Sequence, residues 1–315
     1  NVLIRECTDI GFYSECGNVV GQNDYTDTPE AVINNLQSRD NDLSGIVFRG
    51  PHDAIFTGKT ISNNNGNIGF INEISAGVYD GHCNVRYLHT YNNTNGEIRI
   101  NQTCFASFLF ADGGSVEINE DNCMVDSIRS LRPTTRGLLF YCDGNQIAQE
   151  KINLNDSSSS YACDITGLKN RIGQLYITGG TSATFGLVVD DNNNEVTEMF
   201  AENFTQAVVI GRTQSANSTT VNGDILNCDS ALNYVTTGQR NNLCLSVFVP
   251  SGGSVATGNL PTSSDRFDIL SNGDVVSKTY ETYTSNFAVD SVGVKTVTIN
   301  HNMTFLPTQK QIIAS

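Results

Sequence analysis

Short runs of apolar residues, partly alternating with polar ones, recur along the chain. Examples are Ile68-Gly69-Phe70-Ile71, Val85-Arg86-Tyr87-Leu88, Ile98 to Asn101, Phe108-Leu109-Phe110 and Val116-Glu117-Ile118. Such short runs suit strands, whose side chains alternate between faces. Asn63-Asn64-Asn65-Gly66 and Asp112-Gly113-Gly114 supply turns between them. Glu97-Ile98-Arg99-Ile100-Asn101 superposes on Ser115-Val116-Glu117-Ile118-Asn119 at a shift of about 18 residues. In that alignment the aliphatic residues stack inside. Arg99 meets Glu117 outside as an ion pair, and Asn101 meets Asn119 as the start of an asparagine ladder. Cys83, Cys104, Cys123, Cys142 and Cys163 return at intervals of about 20 residues. A chain coiling into a β-solenoid places like residues on like walls in this way. The expected fold is therefore all-β, with residues 1–131 as coils.

Other segments modify that picture. Thr28 suits a helix N-cap and Pro29 the first helical position. Ala31, Val32, Ile33 and Leu36 then share a face, which predicts a short capping helix over 28–37. Val2 to Tyr13, with Cys7, is echoed by Gly223 to Tyr234, with Cys228, so coils are expected at both ends of the repeat region. Arg132-Pro133-Thr134-Thr135-Arg136-Gly137 breaks the pattern. Residues 132–207 then suit an inserted antiparallel β-sandwich as well as they suit further coils. In the former case Cys142 and Cys163 leave the ladder, which rests on Cys83, Cys104 and Cys123. Coil-like text resumes over 208–250, residues 251–266 read as a linker, and 267–315 as the start of a C-terminal β-sandwich tip. Within the last segment, Asn272-Gly273 between apolar runs is a hairpin signal.

Composition narrows the function classes. The chain has 315 residues and a formal net charge of −15. That field repels nucleic acid and anionic membranes, and no apolar run is long enough for a membrane span. The opening Asn1-Val2-Leu3-Ile4 reads as a strand, with neither an initiator Met nor a signal peptide, which suggests a fragment or processed chain. Nine cysteines lack the Cys-x-x-Cys spacing of a zinc site, and four histidines are scattered. No metal or cofactor is expected, and buried free thiols are favoured over bridges. Asp190-Asp191-Asn192-Asn193-Asn194-Glu195 fails as a calcium loop, with Glu195 where glycine is needed, and reads as a solvated hairpin tip.

Gly21-Gln22-Asn23-Asp24-Tyr25-Thr26-Asp27-Thr28-Pro29-Glu30-Ala31-Val32 resembles the opening of pectate-lyase-like right-handed β-helix proteins. Tyr25 replaces their usual glycine. Bacteriophage tailspikes and tail fibres are the largest group with this opening and no secretion signal. Lys295 to Thr308, with Val297, His301 and Pro307-Thr308, resembles the start of a C-terminal sandwich on many phage fibres. The resemblance implies a right-handed parallel β-helix with sandwich-like additions. It further implies a homotrimer, a place in the virion beside other tail or baseplate proteins, and attachment to a host cell-surface polysaccharide. A polysaccharide depolymerase on the same scaffold, or a secreted or cell-surface bacterial adhesin, are the alternatives.

An enzyme of this kind needs paired carboxylates about 5–9.5 Å apart. Neighbouring coils, about 4.8 Å apart, supply such pairs readily. The densest acidic patch makes Asp112, Glu117, Glu120 and Asp121 the catalytic candidates. The bland alternative is solvated surface, with Glu117 serving only as partner to Arg99.

Overall fold

The computed structural model describes residues 2–15, 32–49, 54–73, 82–134, 136–155, 160–180, 183–236, 241–248, 253–259, 265–271, 274–280, 287–289 and 295–297. These residues form a parallel, right-handed β-solenoid. The first coil contributes β1 (Val2–Arg5) and β2 (Phe12–Glu15). Three coils of three strands follow. They are β3 (Val32–Asn34), β4 (Leu36–Arg39) and β5 (Ile46–Arg49); β6 (Ala54–Thr57), β7 (Thr60–Asn63) and β8 (Ile68–Glu73); and β9 (His82–Val85), β10 (Leu88–Tyr91) and β11 (Gly96–Asn101).

From there each coil has two strands, the first the longer. The pairs are β12 (Thr103–Asp112) with β13 (Val116–Ile118), β14 (Met124–Leu131) with β15 (Arg136–Phe140), and β16 (Gln146–Asn153) with β17 (Tyr161–Ile165). Next come β18 (Arg171–Thr178) with β19 (Phe185–Val189), and β20 (Glu195–Glu202) with β21 (Gln206–Ile210). The last are β22 (Thr220–Leu226) with β23 (Ser230–Tyr234), and β24 (Asn242–Phe248) with β25 (Ser254–Gly258). The parallel β26 (Asp265–Ser271) ends the stack and turns back as β27 (Asp274–Tyr280). A separate hairpin joins β28 (Phe287–Val289) and β29 (Lys295–Val297).

The strands fall into a 16-stranded sheet and an 11-stranded sheet facing one core. β12 explains the unequal numbers. Its Cys104 pairs with Cys83 of β9, while its Leu109 pairs with Leu88 of β10, so one ten-residue strand replaces two short ones. Inward positions stack type on type, as in Ile98, Val116, Leu138, Cys163 and Leu187, and in Ile100, Ile118, Phe140 and Ile165. Outside, the expected register holds. Arg99 Nε lies 2.8 Å from Glu117, and Asn119 Nδ2 donates to Asn101 Oδ1 at 2.8 Å. Aromatic rings stack between coils too, His89 on Phe110 at 4.4 Å and Tyr87 on Phe108 at 5.3 Å.

Corners repeat a two-residue device, a residue in the left-handed region followed by a buried asparagine. Asn64 (φ 55°) precedes Asn65, Asn92 (φ 56°) precedes Asn93, and Asn193 (φ 59°) precedes Asn194. Asparagine tolerates that conformation better than most residues, and its amide can meet the backbone of the coil below. One ladder runs along the first corner. The backbone N–H of Cys7, Asn41 and Asn65 donates to Oδ1 of Asn41, Asn65 and Asn93 at 3.1, 3.3 and 3.0 Å. Glu97 ends it, accepting from the Asn93 N–H at 3.1 Å and from Asn93 Nδ2. In the next coil this corner is Gly113-Gly114, and a Cβ on Gly114 would lie 2.8 Å from Glu97 Cγ. The glutamate thus occupies space that a side chain would fill. Burial pushes its carboxyl up to about 7, against the hydrogen bonds from Asn93. A second ladder runs along the other corner through Asn145, Asn170 and Asn194.

Asn65→Ala should therefore cost about 2–4 kcal/mol, because it strips acceptors from Asn41 and donors from Asn93 inside the fold. Urea denaturation measures this, and a cost below about 0.5 kcal/mol, the scale of an ordinary surface substitution, would deny the ladder a structural role.

The structure differs from expectation at several places. Residues 32–37 of the predicted 28–37 helix fall in strands β3 and β4, with Asn35 at φ 53° turning the chain between them. Residues 28–31 lie outside the described residues, among which there is no helix. Within 132–207, β15 to β20 are parallel coils in continuous register, with no sandwich among the described residues. Residues 254–258 of the expected linker are β25, paired with β23. Most of the proposed tip, 298–315 included, lies outside the described residues, as does the Gly21–Ala31 motif. The eight described cysteines are free, with Cys83 Sγ 3.5 Å from Cys104 Sγ. Cys163 stands on the other wall, in register with Leu138 rather than in the cysteine stack.

Candidate functional site

The four sequence-predicted acids are spread around one coil. Asp112 closes β12, and Arg132 grips both its oxygens at 2.7 and 2.8 Å. Glu117 lies mid-β13, held by Arg99 and by the Ser115 hydroxyl at 3.3 Å. Glu120 and Asp121 sit at the next corner, where Asp121 accepts the Asp143 N–H at 2.7 Å. A corner and the short strand β13 lie between Asp112 and Asp121.

A concave surface lies elsewhere. Each long strand bends about one residue that drops out of the regular pairing. In β12 it is Ser107, in β14 Asp126, in β16 Ala148 and in β18 Gly173. The bends stack coil on coil and open a groove parallel to the axis. Its floor stays narrow: a Cβ on Gly173 would lie 2.5 Å from the Ala148 carbonyl oxygen.

The groove has two joined segments of about 400 and 340 Å³, sharing Met124 and Asp126. The first carries Phe105 and Met124, which are 38% and 48% exposed and directly paired on neighbouring strands. Arg86 and Asn84 flank them. The second carries Gln146, Arg171 and Glu195 in the same column, with Arg171 Nε 3.5 Å from Glu195. Just beyond the bend, Gln149 Nε2 donates to Gln174 at 3.4 Å, and Gln174 Nε2 donates to Glu198 at 2.9 Å. Chemically this is one apolar shelf beside a strip of amides and neutralised charges. The acids lining it, Asp126 and Glu195, stand three strands apart, so their backbones are roughly 14 Å from one another.

Sequence reasoning missed this groove. Phe105, Met124, Gln146, Arg171 and Glu195 recur about once per coil, so the signal was the same period that located the cysteines. It was masked by the changing residue type.

The shorter wall carries a buried charge network. Arg136 Nε and Arg212 Nη2 approach Asp164 at 3.4 and 3.3 Å, and Arg212 Nε lies 3.7 Å from Asp190. Thr213 donates its N–H and hydroxyl to Asp190 at 2.9 and 3.0 Å. Both guanidiniums also lie over the Tyr161 ring, at 5.2 and 5.0 Å. Both aspartates are fully buried. Burial raises the Asp164 carboxyl above its usual range, opposed by Arg212 and Arg136. The stretch expected as a solvated tip is thus a coil corner whose Asp190 and Asn194 are buried.

Glu150 is stranger. It points into the core between Ile128 and Leu175 in register. Its Oε1 has no hydrogen-bond partner, and its nearest polar contact is Cys163 Sγ, 4.0 Å from Oε2. Burial raises its carboxyl well above the ordinary glutamate value. Among the described residues no group of three or more side chains is placed to hold a metal ion. Comparison with protein-family models, with curated proteins and with solved structures returns no match.

Proposed function

We propose that the chain is a glycan-binding β-helix from a bacteriophage tail fibre or tailspike, attaching the virion to a cell-surface polysaccharide. The observation that carries this is the axial groove, with an apolar shelf for sugar faces and amides for hydroxyls. A groove parallel to the coils suits an extended polymer, since each coil presents another set of contacts. The solenoid scaffold is compatible with the same role. Homotrimeric assembly and contacts with other tail proteins belong to this reading, as side-by-side packing would shield coil ends.

Binding is favoured over cleavage because the two acids lining the groove, Asp126 and Glu195, are set on strands three apart and one of them is paired with Arg171, an arrangement unlike the adjacent carboxyls of glycoside hydrolysis. The test is to incubate the protein with bacterial surface polysaccharides, then measure retention and chain length. Retention with unchanged length supports the proposal. Shortened chains would make the protein a depolymerase, and no retention of any glycan would remove the reading altogether.

A further inference from the structure

We infer that the groove selects a neutral glycan bearing apolar substituents, such as 6-deoxy sugars or O-acetyl groups, and rejects polyanionic glycans. The inference rests on the glycan-binding reading above and concerns only which glycan is taken.

Charge argues against an acidic ligand. Arg171 pairs with Glu195, and the first segment carries one arginine, Arg86, against one carboxylate, Asp126. The groove lining thus carries no net positive charge to hold a chain of uronic acids or phosphates, and the chain's net charge of −15 repels polyanions at longer range.

Shape argues for an apolar substituent. Phe105 and Met124 are adjacent, substantially exposed, and lie on the groove wall rather than in the core. A plain hexose can lay a C–H face on that shelf, but any hydroxyl buried at its rim finds no partner on either residue. A methyl or acetyl group covers the shelf without that penalty. The polar column beginning at Gln146, one strand on, then meets hydroxyls of the neighbouring sugar. Methionine is suited to such contact because its flexible thioether adapts to irregular shapes.

The test uses immobilised oligosaccharides of defined composition in three sets, one neutral with rhamnose, fucose or O-acetyl groups, one neutral with hexoses only, and one rich in uronic acids. The first set should bind at least tenfold tighter than the other two. Phe105→Ser combined with Met124→Ser should remove that margin, weakening the first set at least tenfold, while leaving the melting temperature unchanged. Equal or tighter binding of hexose-only or uronic-acid glycans would overturn the inference and leave the glycan-binding reading intact. Binding to none of the three sets would overturn both.

Discussion

Arg212→Ala should destabilise the solenoid by about 3–5 kcal/mol, the cost of leaving buried carboxylates without their cation. The guanidinium reaches from the corner after β21 across Asp190 on one coil to Asp164 on the next, and both carboxylates are shut off from water. Removing it strands Asp190 with only Thr213, and Asp164 with only Arg136. Arg212→Lys should recover little. An ammonium is a compact charge and cannot place separate nitrogens toward two acids while lying over Tyr161. Denaturant unfolding of the two variants gives the answer, and a loss below about 1 kcal/mol for alanine, a value typical of exposed ion pairs, would mean the network contributes little.

Glu150→Leu should act in the opposite direction, stabilising the fold at neutral pH by about 1–4 kcal/mol. Leucine has nearly the right volume and would continue the Ile128–Leu175 column. The pH dependence identifies the cause. A carboxyl whose folded value is raised contributes stability that is fully present below its unfolded value, near 4.5, and is lost as pH climbs through the folded one. The wild-type chain should therefore lose up to about 1.4 kcal/mol per pH unit on this account above pH about 4.5. Glu97 behaves alike over a narrower window, closing at about 7. The leucine variant should keep the contributions of Glu97 and Asp164 and lose that of Glu150. Equal pH profiles for wild type and variant would show that Glu150 finds solvent or a partner in solution.

The repeat itself was readable because identical neighbours stack. Arg99 over Glu117 and Cys104 over Cys83 needed only counting. Residues 32–37 of the helix expected over 28–37 pair as strands, although Val32, Ile33 and Leu36 fit a helical face equally well. Tertiary pairing of Val32 and Ile33 with Ile55 and Phe56 decided for strand. For Asp112, Glu117, Glu120 and Asp121, closeness in sequence says little about spacing, because the chain turns a corner every few residues. Arg212 and Asp164, 48 residues apart, could not be linked without knowing the coil length on that wall.

The two amide ladders do not overlap. One ends at Glu97, and the other begins where the Cys123 N–H meets Asn145. Between them, at the coil where three short strands become two, the Cys104 N–H is met by the thiol of Cys123 at 3.3 Å, a weaker acceptor than an amide oxygen. A rod anchored at one end and loaded at the other yields where its cross-links are softest. In this molecule that compliant segment lies between β11 and β14, so tension along the axis would be taken up inside the groove itself, at the coil that carries Phe105.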